Sequence, residues 1–266
     1  MKSTTHIPGW LIAASAAAAM FTFTATAGDK PKKEKGIFHL SIQERMVNEG
    51  ALAAARGKAQ IQLDQENQKA AHQKVKLHID GLDSSATYQL AAQVDDDTNL
   101  TQIATFTPDH EGKANIELRE KGPKHPDSKD GHVHAQLPPE LQPVTLIHQL
   151  LVSDTNGATV LSADLTSPDK FEYLVKADLS SGDIRAKLGI KANSHKGQVH
   201  LDAKGLEAGS DYSLALNGTV AGSATADHEG KVNLRAELQN VADIFALETV
   251  ELLDASSTAV VSATVQ

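Results

Sequence analysis

The pentapeptide Asp109-His110-Glu111-Gly112-Lys113 returns as Asp227-His228-Glu229-Gly230-Lys231, each time inside a longer shared order of landmarks. Upstream, Gly81-Leu82 and Tyr88-x-Leu90 answer to Gly205-Leu206 and Tyr212-x-Leu214. Downstream, Asp154 and Leu161-Ser162-Ala163-Asp164-Leu165 answer to Asp254 and Val261-Ser262-Ala263-Thr264-Val265, at a constant offset of 100. A chain that repeats itself in this way is an internal duplication, so its fold is expected to be one unit built twice.

The two copies differ in length at two places. From Gly81 to Asp109 is 28 positions against 22 from Gly205 to Asp227, which puts six extra residues of the first copy around Asp95-Asp96-Asp97. From Asp109 to Asp154 is 45 against 27 from Asp227 to Asp254, an 18-residue insertion that spans residues 122–139.

Alternation of apolar and polar residues runs through both copies and predicts short, half-buried strands. In the first copy it falls on Phe38-Leu40-Ile42, Ala59-Ile61-Leu63, Val75-Leu77-Ile79, Tyr88-Leu90-Ala92, Ile103 to Thr107, Ala114-Ile116-Leu118, Leu146 to Val152 and Val160 to Leu165. In the second it falls on Phe171-Tyr173-Val175, Ile184 to Ile190, Val199-Leu201-Ala203, Tyr212-Leu214-Leu216, Ser223 to Ala226, Val232-Leu234-Ala236, Val250 to Leu253 and Ala259 to Val265. Ile42 to Arg56 and Asn240 to Ala246 contain enough helix formers to allow a helical turn. The repeated pentapeptide lies between two strands, where Asp can bond turn amides and Gly can take the left-handed conformation, so it reads as a hairpin turn.

The first 27 residues carry the marks of a secretory signal: Lys2, an apolar stretch from Trp10 to Phe23, and the small-residue site Ala25-Thr26-Ala27. Residues 28–36 then form a charged tail, 37–165 a first β-sandwich domain, 166–170 a Pro-containing linker and 171–266 a second β-sandwich domain. A linker this short predicts a semi-rigid tandem rod. After the signal is removed no segment approaches the roughly 20 apolar residues that a helix needs to cross a bilayer. Cysteine is absent, so stability rests on packing alone. The mature chain has 24 basic against 34 acidic side chains, an acidic balance that argues against nucleic acid as a partner.

Candidate chemistry concentrates where the copies differ. The insertion holds His125, His132 and His134. The pair His132-x-His134 sets two imidazoles on one face of an extended segment, a pattern that suits copper, zinc or nickel, and His148, Asp127 or Asp130 could complete it. The opposite reading is an exposed loop, because prolines flank the tract and no zinc spacing is present. Asp95-Asp96-Asp97 offers oxygen ligands but lacks the spacing of a calcium loop. No Gly-x-Ser-x-Gly elbow occurs, and the mature chain has no tryptophan for a sugar platform. Tyr88 and Tyr212 hold equivalent places after the Gly-Leu pairs and read as framework residues whose hydroxyls bond at a sandwich edge.

The strand count, turn spacing and tandem arrangement resemble immunoglobulin-like or fibronectin-III-like modules of secreted bacterial proteins, without a Cys-Trp-Cys framework. That resemblance implies an all-β, two-sandwich protein of the periplasm or cell exterior, with an interaction, adhesion or structural role rather than catalysis. The expected partner is a protein or another envelope component, and no catalytic, cofactor or metal residue is assigned. The alternatives are a copper- or zinc-binding periplasmic protein that uses the insertion, and a hydrolase with a site at the domain junction.

Overall fold

The computed structural model describes residues 36–66, 71–94, 100–121, 131–238 and 247–265. Each half begins with a meander whose apolar positions recur every second residue, so one face of each strand is buried and the other is wet. In the first half these strands are β1 (Gly36–Asn48), β2 (Arg56–Glu66) and β3 (His72–Asp80), and β6 (Ala114–Arg119) joins the open side of β3. A second sheet runs β5 (Leu100–Phe106), β4 (Tyr88–Val94), β8 (Ile147–Asp154) and β9 (Thr159–Asp164). The inner faces of the two sheets close over Leu77, Leu90, Leu118 and Leu150, all with no exposed surface.

The second half repeats this strand order, but among the described residues only in the first half are the two sheets joined by a short ladder, Val47 and Asn48 of β1 opposite Ser162 and Leu161 of β9. The first of its sheets is β10 (Lys170–Ser181), β11 (Ile184–Asn193), β12 (Lys196–Lys204) and β15 (Lys231–Leu238), and the other is β14 (Thr219–Thr225), β13 (Asp211–Leu216), β16 (Thr249–Leu253) and β17 (Ala259–Thr264). Irregularities recur as well. The ladder slips between Leu90 and Ala91 in one half and between Leu214 and Ala215 in the other, and again at Val152/Ser153 and Leu252/Leu253. The architecture is therefore all-β, with sheets packed as in a sandwich. No α-helix occurs among the described residues, and none is long and apolar enough to cross a membrane. In an immunoglobulin constant domain the second and third strands lie in different sheets, whereas here the first three strands of each half are neighbours in one sheet.

The halves meet edge to edge, not end to end as a tandem rod would have them. β1 and β10 pair antiparallel over eight residues, from Gly36 opposite Ala177 to Gln43 opposite Lys170. This ladder merges the two meanders into one sheet of order β15-β12-β11-β10-β1-β2-β3-β6-β7, where β7 is His132–Gln136. Leu40 faces Tyr173 near its middle, flanked by Phe38 opposite Val175 and Ile42 opposite Phe171, so the seam reads nearly the same from either side. All six side chains are buried, and Phe38 meets Tyr173 edge-on at 5.5 Å between ring centres.

One open alternative is resolved and one sequence expectation is corrected. Ile42 to Arg56 contains no helical turn: β1 continues to Asn48, whose carboxamide then accepts from the Gly50 N–H and donates to the Leu52 and Ala55 carbonyls, fixing a bend. The Asp-His-Glu-Gly-Lys segment does turn the chain, but between strands in different sheets, so it is a corner and not a hairpin. Its internal bonds repeat in the two halves. Asp109 and Asp227 each accept through one carboxylate oxygen from two backbone amides, at 2.9 Å in all four cases. Asn240 to Ala246 lies outside the described residues.

The corner is anchored on the Gly-Leu pair. Leu82 N–H donates to Gly112 O at 3.0 Å, and Leu206 N–H to Gly230 O at 3.1 Å. Both turn glycines have positive φ, 74° and 68°, and a Cβ on either would sit 2.2 Å from the carbonyl oxygen of Leu82 or Leu206. Gly112→Ala and Gly230→Ala are each expected to lose at least about 1–3 kcal/mol from backbone strain alone. Urea unfolding of the two single variants checks this, and similar losses are expected because the contacts match.

Tyr173 supplies a second test. Its side chain is 7% exposed, burial pushes the phenol pKa far up, and its hydroxyl has no hydrogen-bond partner among the described residues. Removing an unsatisfied buried hydroxyl relieves its desolvation penalty. Tyr173→Phe is therefore expected to raise stability by about 1 kcal/mol, read as a higher melting temperature.

Candidate functional site

The merged sheet turns its odd-numbered β1 residues, and their partners in register, away from the core. Its outer face carries His39, Ser41, Gln43 and Arg45 on β1, Gln60, Gln62 and Asp64 on β2, Lys74, Lys76 and His78 on β3, and Asn115, Glu117 and Arg119 on β6. Lys176, Lys187, Lys191, His200 and Asp202 continue it across the second half. Register builds this surface, because each apolar residue turned inward leaves a neighbour turned outward that is polar at most positions, Ile37 and Leu174 being exceptions.

The described part of the insertion extends the same face. β7 (His132–Gln136) pairs parallel with β6, placing His132 beside Asn115 and His134 beside Glu117. The two imidazoles share the exposed face, as the His-x-His spacing implies, but His148 sits on β8 in the other sheet and does not join them. His125, Asp127, Asp130 and Asp95 to Asp97 lie outside the described residues. Among the described residues no group of three or more His, Asp or Glu converges on a common point where an ion would sit.

The most organised part of the face centres on Glu117, which alternation marks as outward but does not single out. Its carboxylate lies 3.3 Å from Lys74 Nζ and 4.0 Å from Lys76 Nζ, and it accepts from Arg119 Nε. The side chain is only 16% exposed. Burial by itself would raise the Glu117 pKa, yet the hydrogen bonds and charges of Arg119 and Lys74 outweigh it and hold the carboxyl below its ordinary value. Lys74 shifts down, chiefly through burial and then through Lys76 beside it, with Glu117 opposing.

Further along the face, one cross-strand row reads His39, Asp64, His72. His39 Nδ1 and Asp64 Oδ1 are 2.5 Å apart, and Gln62 Nε2 donates to the other carboxylate oxygen at 2.7 Å. A depression of about 370 Å³ lies alongside, lined by Asp64, His72, Lys74 and Arg119 among others. The row escapes a scan for local motifs because its members are far apart in the chain. Listing the outward residues of three successive strands in register would have found it.

Tyr88 and Tyr212 belong to the frame, as their equivalent places imply. Their rings are buried, and their hydroxyls accept from the backbone N–H of Asp83 at 3.0 Å and of Glu207 at 3.2 Å. Tyr88 also stacks on Phe106 with ring centres 5.8 Å apart.

Glu117→Gln is expected to cost roughly 1–2 kcal/mol at neutral pH, since Lys74 and Arg119 lose their shared anion but remain partly hydrated. Because the folded pKa is depressed, the carboxylate's contribution is present above the ordinary glutamate value of 4.5 and is lost as pH falls through the lower folded value. The gap in urea midpoint between wild type and variant should therefore narrow in acid. No protein-family model matches the chain, and no curated protein matches it in sequence.

Proposed function

We propose that the chain is an exported, non-catalytic protein of the cell envelope or exterior, and that it presents the outer face of its merged sheet to a protein or other envelope component. The observation that carries this reading is the β1–β10 seam, which turns two separate sheet faces into one. Nine strands at ~4.8 Å spacing give a surface about 38 Å across. That span suits contact with a macromolecule better than enclosure of a small substrate, since enzyme sites are usually concave and largely apolar.

The export half of the proposal rests on Lys2, the apolar Trp10 to Phe23 stretch and Ala25-Thr26-Ala27. We further read the halves as duplicated modules of immunoglobulin-like or fibronectin-III-like type in the broad sense of two packed antiparallel sheets, with a connectivity of their own. The matching strand orders, ladder slips and corner bonds support a common origin.

The test uses a photo-crosslinking residue at Gln62 or Gln198, one outward position in each half, and at Gln89 on the opposite sheet as control. In the exporting cell both outer-face positions should capture the same envelope component and the control should not, with a mature N-terminus at Gly28. Capture from Gln89 alone, or turnover of a substrate by the purified mature chain without any capture, would reject the reading.

A further inference from the structure

We propose that Arg185, Lys204 and Lys231 form a binding site for a small polyanion, whose carboxylate or phosphate oxygens take the place that an aspartate fills in the other half of the chain. The inference is independent of the macromolecular partner proposed above, because it rests on a difference between the halves, although the row lies on the same outer face.

The three residues occupy one cross-strand row. Arg185 is opposite Lys204 on β12, and Lys204 is opposite Lys231 on β15. Like charges placed directly opposite on a ladder destabilise it. In the first half Arg56 is opposite Asp80, and Lys113, which stands just before β6, feels the Asp80 charge; the correspondence is fixed by the glycine that follows, Gly81 in one case and Gly205 in the other. There the central residue is an anion: Asp80 Oδ2 lies 3.7 Å from Arg56 Nε. The second half keeps both flanking cations and replaces the carboxylate between them with a third.

Three of the nearby carboxylates are engaged elsewhere, whereas Asp178, at the border of the row, has no ion-pair partner among the described residues. Glu229 pairs with Lys231, Asp227 accepts from the backbone amides of Glu229 and Lys231, and Asp202 accepts from Asn233 and lies 3.4 Å from His200. Lys204 has no ion-pair partner among the described residues. Arg185 spends one guanidinium nitrogen on the Gly182 and Ile184 carbonyls, and its other N–H groups have no partner among the described residues.

The row opens on a depression of about 610 Å³ that also touches Lys187, Asn233 and Val232. Its volume is in the range of small-ligand sites. Asp178, Asp202 and Asp227 border it, so the local charge is only slightly positive and the whole chain carries −9. This balance favours a compact ligand that sits between the cations and disfavours an extended polyanion, which would meet the surrounding carboxylates.

Titration of the mature chain, residues 28–266, with citrate and with inorganic phosphate at low salt tests the proposal by calorimetry and by amide NMR shifts. Saturable one-to-one binding that weakens with salt is expected, with shifts confined to β11, β12 and β15; citrate alone marks a carboxylate ligand and phosphate alone a phosphate ligand. Lys204→Asp restores the row of the first half and should weaken binding by roughly tenfold or more, a change of two charges a few ångströms from the ligand. The same variant should melt higher than wild type, because it removes the like-charge contacts, which separates lost binding from lost folding. Asp80→Lys should create a second site and raise the stoichiometry to two. Absence of saturable binding of both probes to wild type, affinity unchanged in Lys204→Asp, or a stoichiometry that stays at one in Asp80→Lys would overturn the assignment.

Discussion

The ladder between β1 and β10 holds the arrangement of everything else in place. Without it the chain would be two sandwiches on a five-residue tether, each exposing an edge strand with unpaired amides and carbonyls. With it, the two edges satisfy each other, and Phe38, Leu40, Ile42, Phe171, Tyr173 and Val175 close a shared core beneath. Burial of a large apolar side chain contributes roughly 1.5–3 kcal/mol, so six such residues outweigh any single polar contact on the surface. The near-symmetry of the register also means that the seam is self-complementary, as the interface of a two-fold dimer is.

Polar chemistry is arranged on this frame by rows, not by local motifs. Glu117 gathers Lys74, Lys76 and Arg119 from two strands, and His39 and His72 flank Asp64 from opposite sides. Each grouping depends on strand register, since a slip of one residue would send every member into the core. The halves share a scaffold but differ in what the rows display. Asn115 and Asn233 hold equivalent places, yet the first contacts His78 and the second contacts Asp202 and His200.

Much of the fold was legible in the chain because its signals are local. Alternation locates the strands that carry Phe38, Ile61, Leu77 and Ile116, and the repeated Gly-Leu and Asp-x-x-Gly-Lys elements mark the corners. Two features were not legible. The pairing of β1 with β10 joins residues more than a hundred positions apart, and nothing in either strand specifies which edge it will meet. β7 was hidden because His132–Gln136 alternates weakly: Val133 and Ala135 are only half-buried, and the prolines around the tract speak for a loop. The outward residues were visible one strand at a time, but their grouping around Glu117 or Asp64 appears only once the register is known.

β1 is the first strand among the described residues, and its local partner β2 follows directly, whereas β10 arrives only after the whole first half has been made. A chain synthesised from its N-terminal end therefore carries the seam edge of β1 uncovered until β10 has been made. Long-range pairings of this kind form slowly, because the intervening chain must be closed into a loop first. The polar residues that alternate along β1, His39, Ser41, Gln43 and Arg45, then serve a purpose in time as well as in space: they break up an apolar edge that would otherwise invite pairing with neighbouring chains while the fold is incomplete.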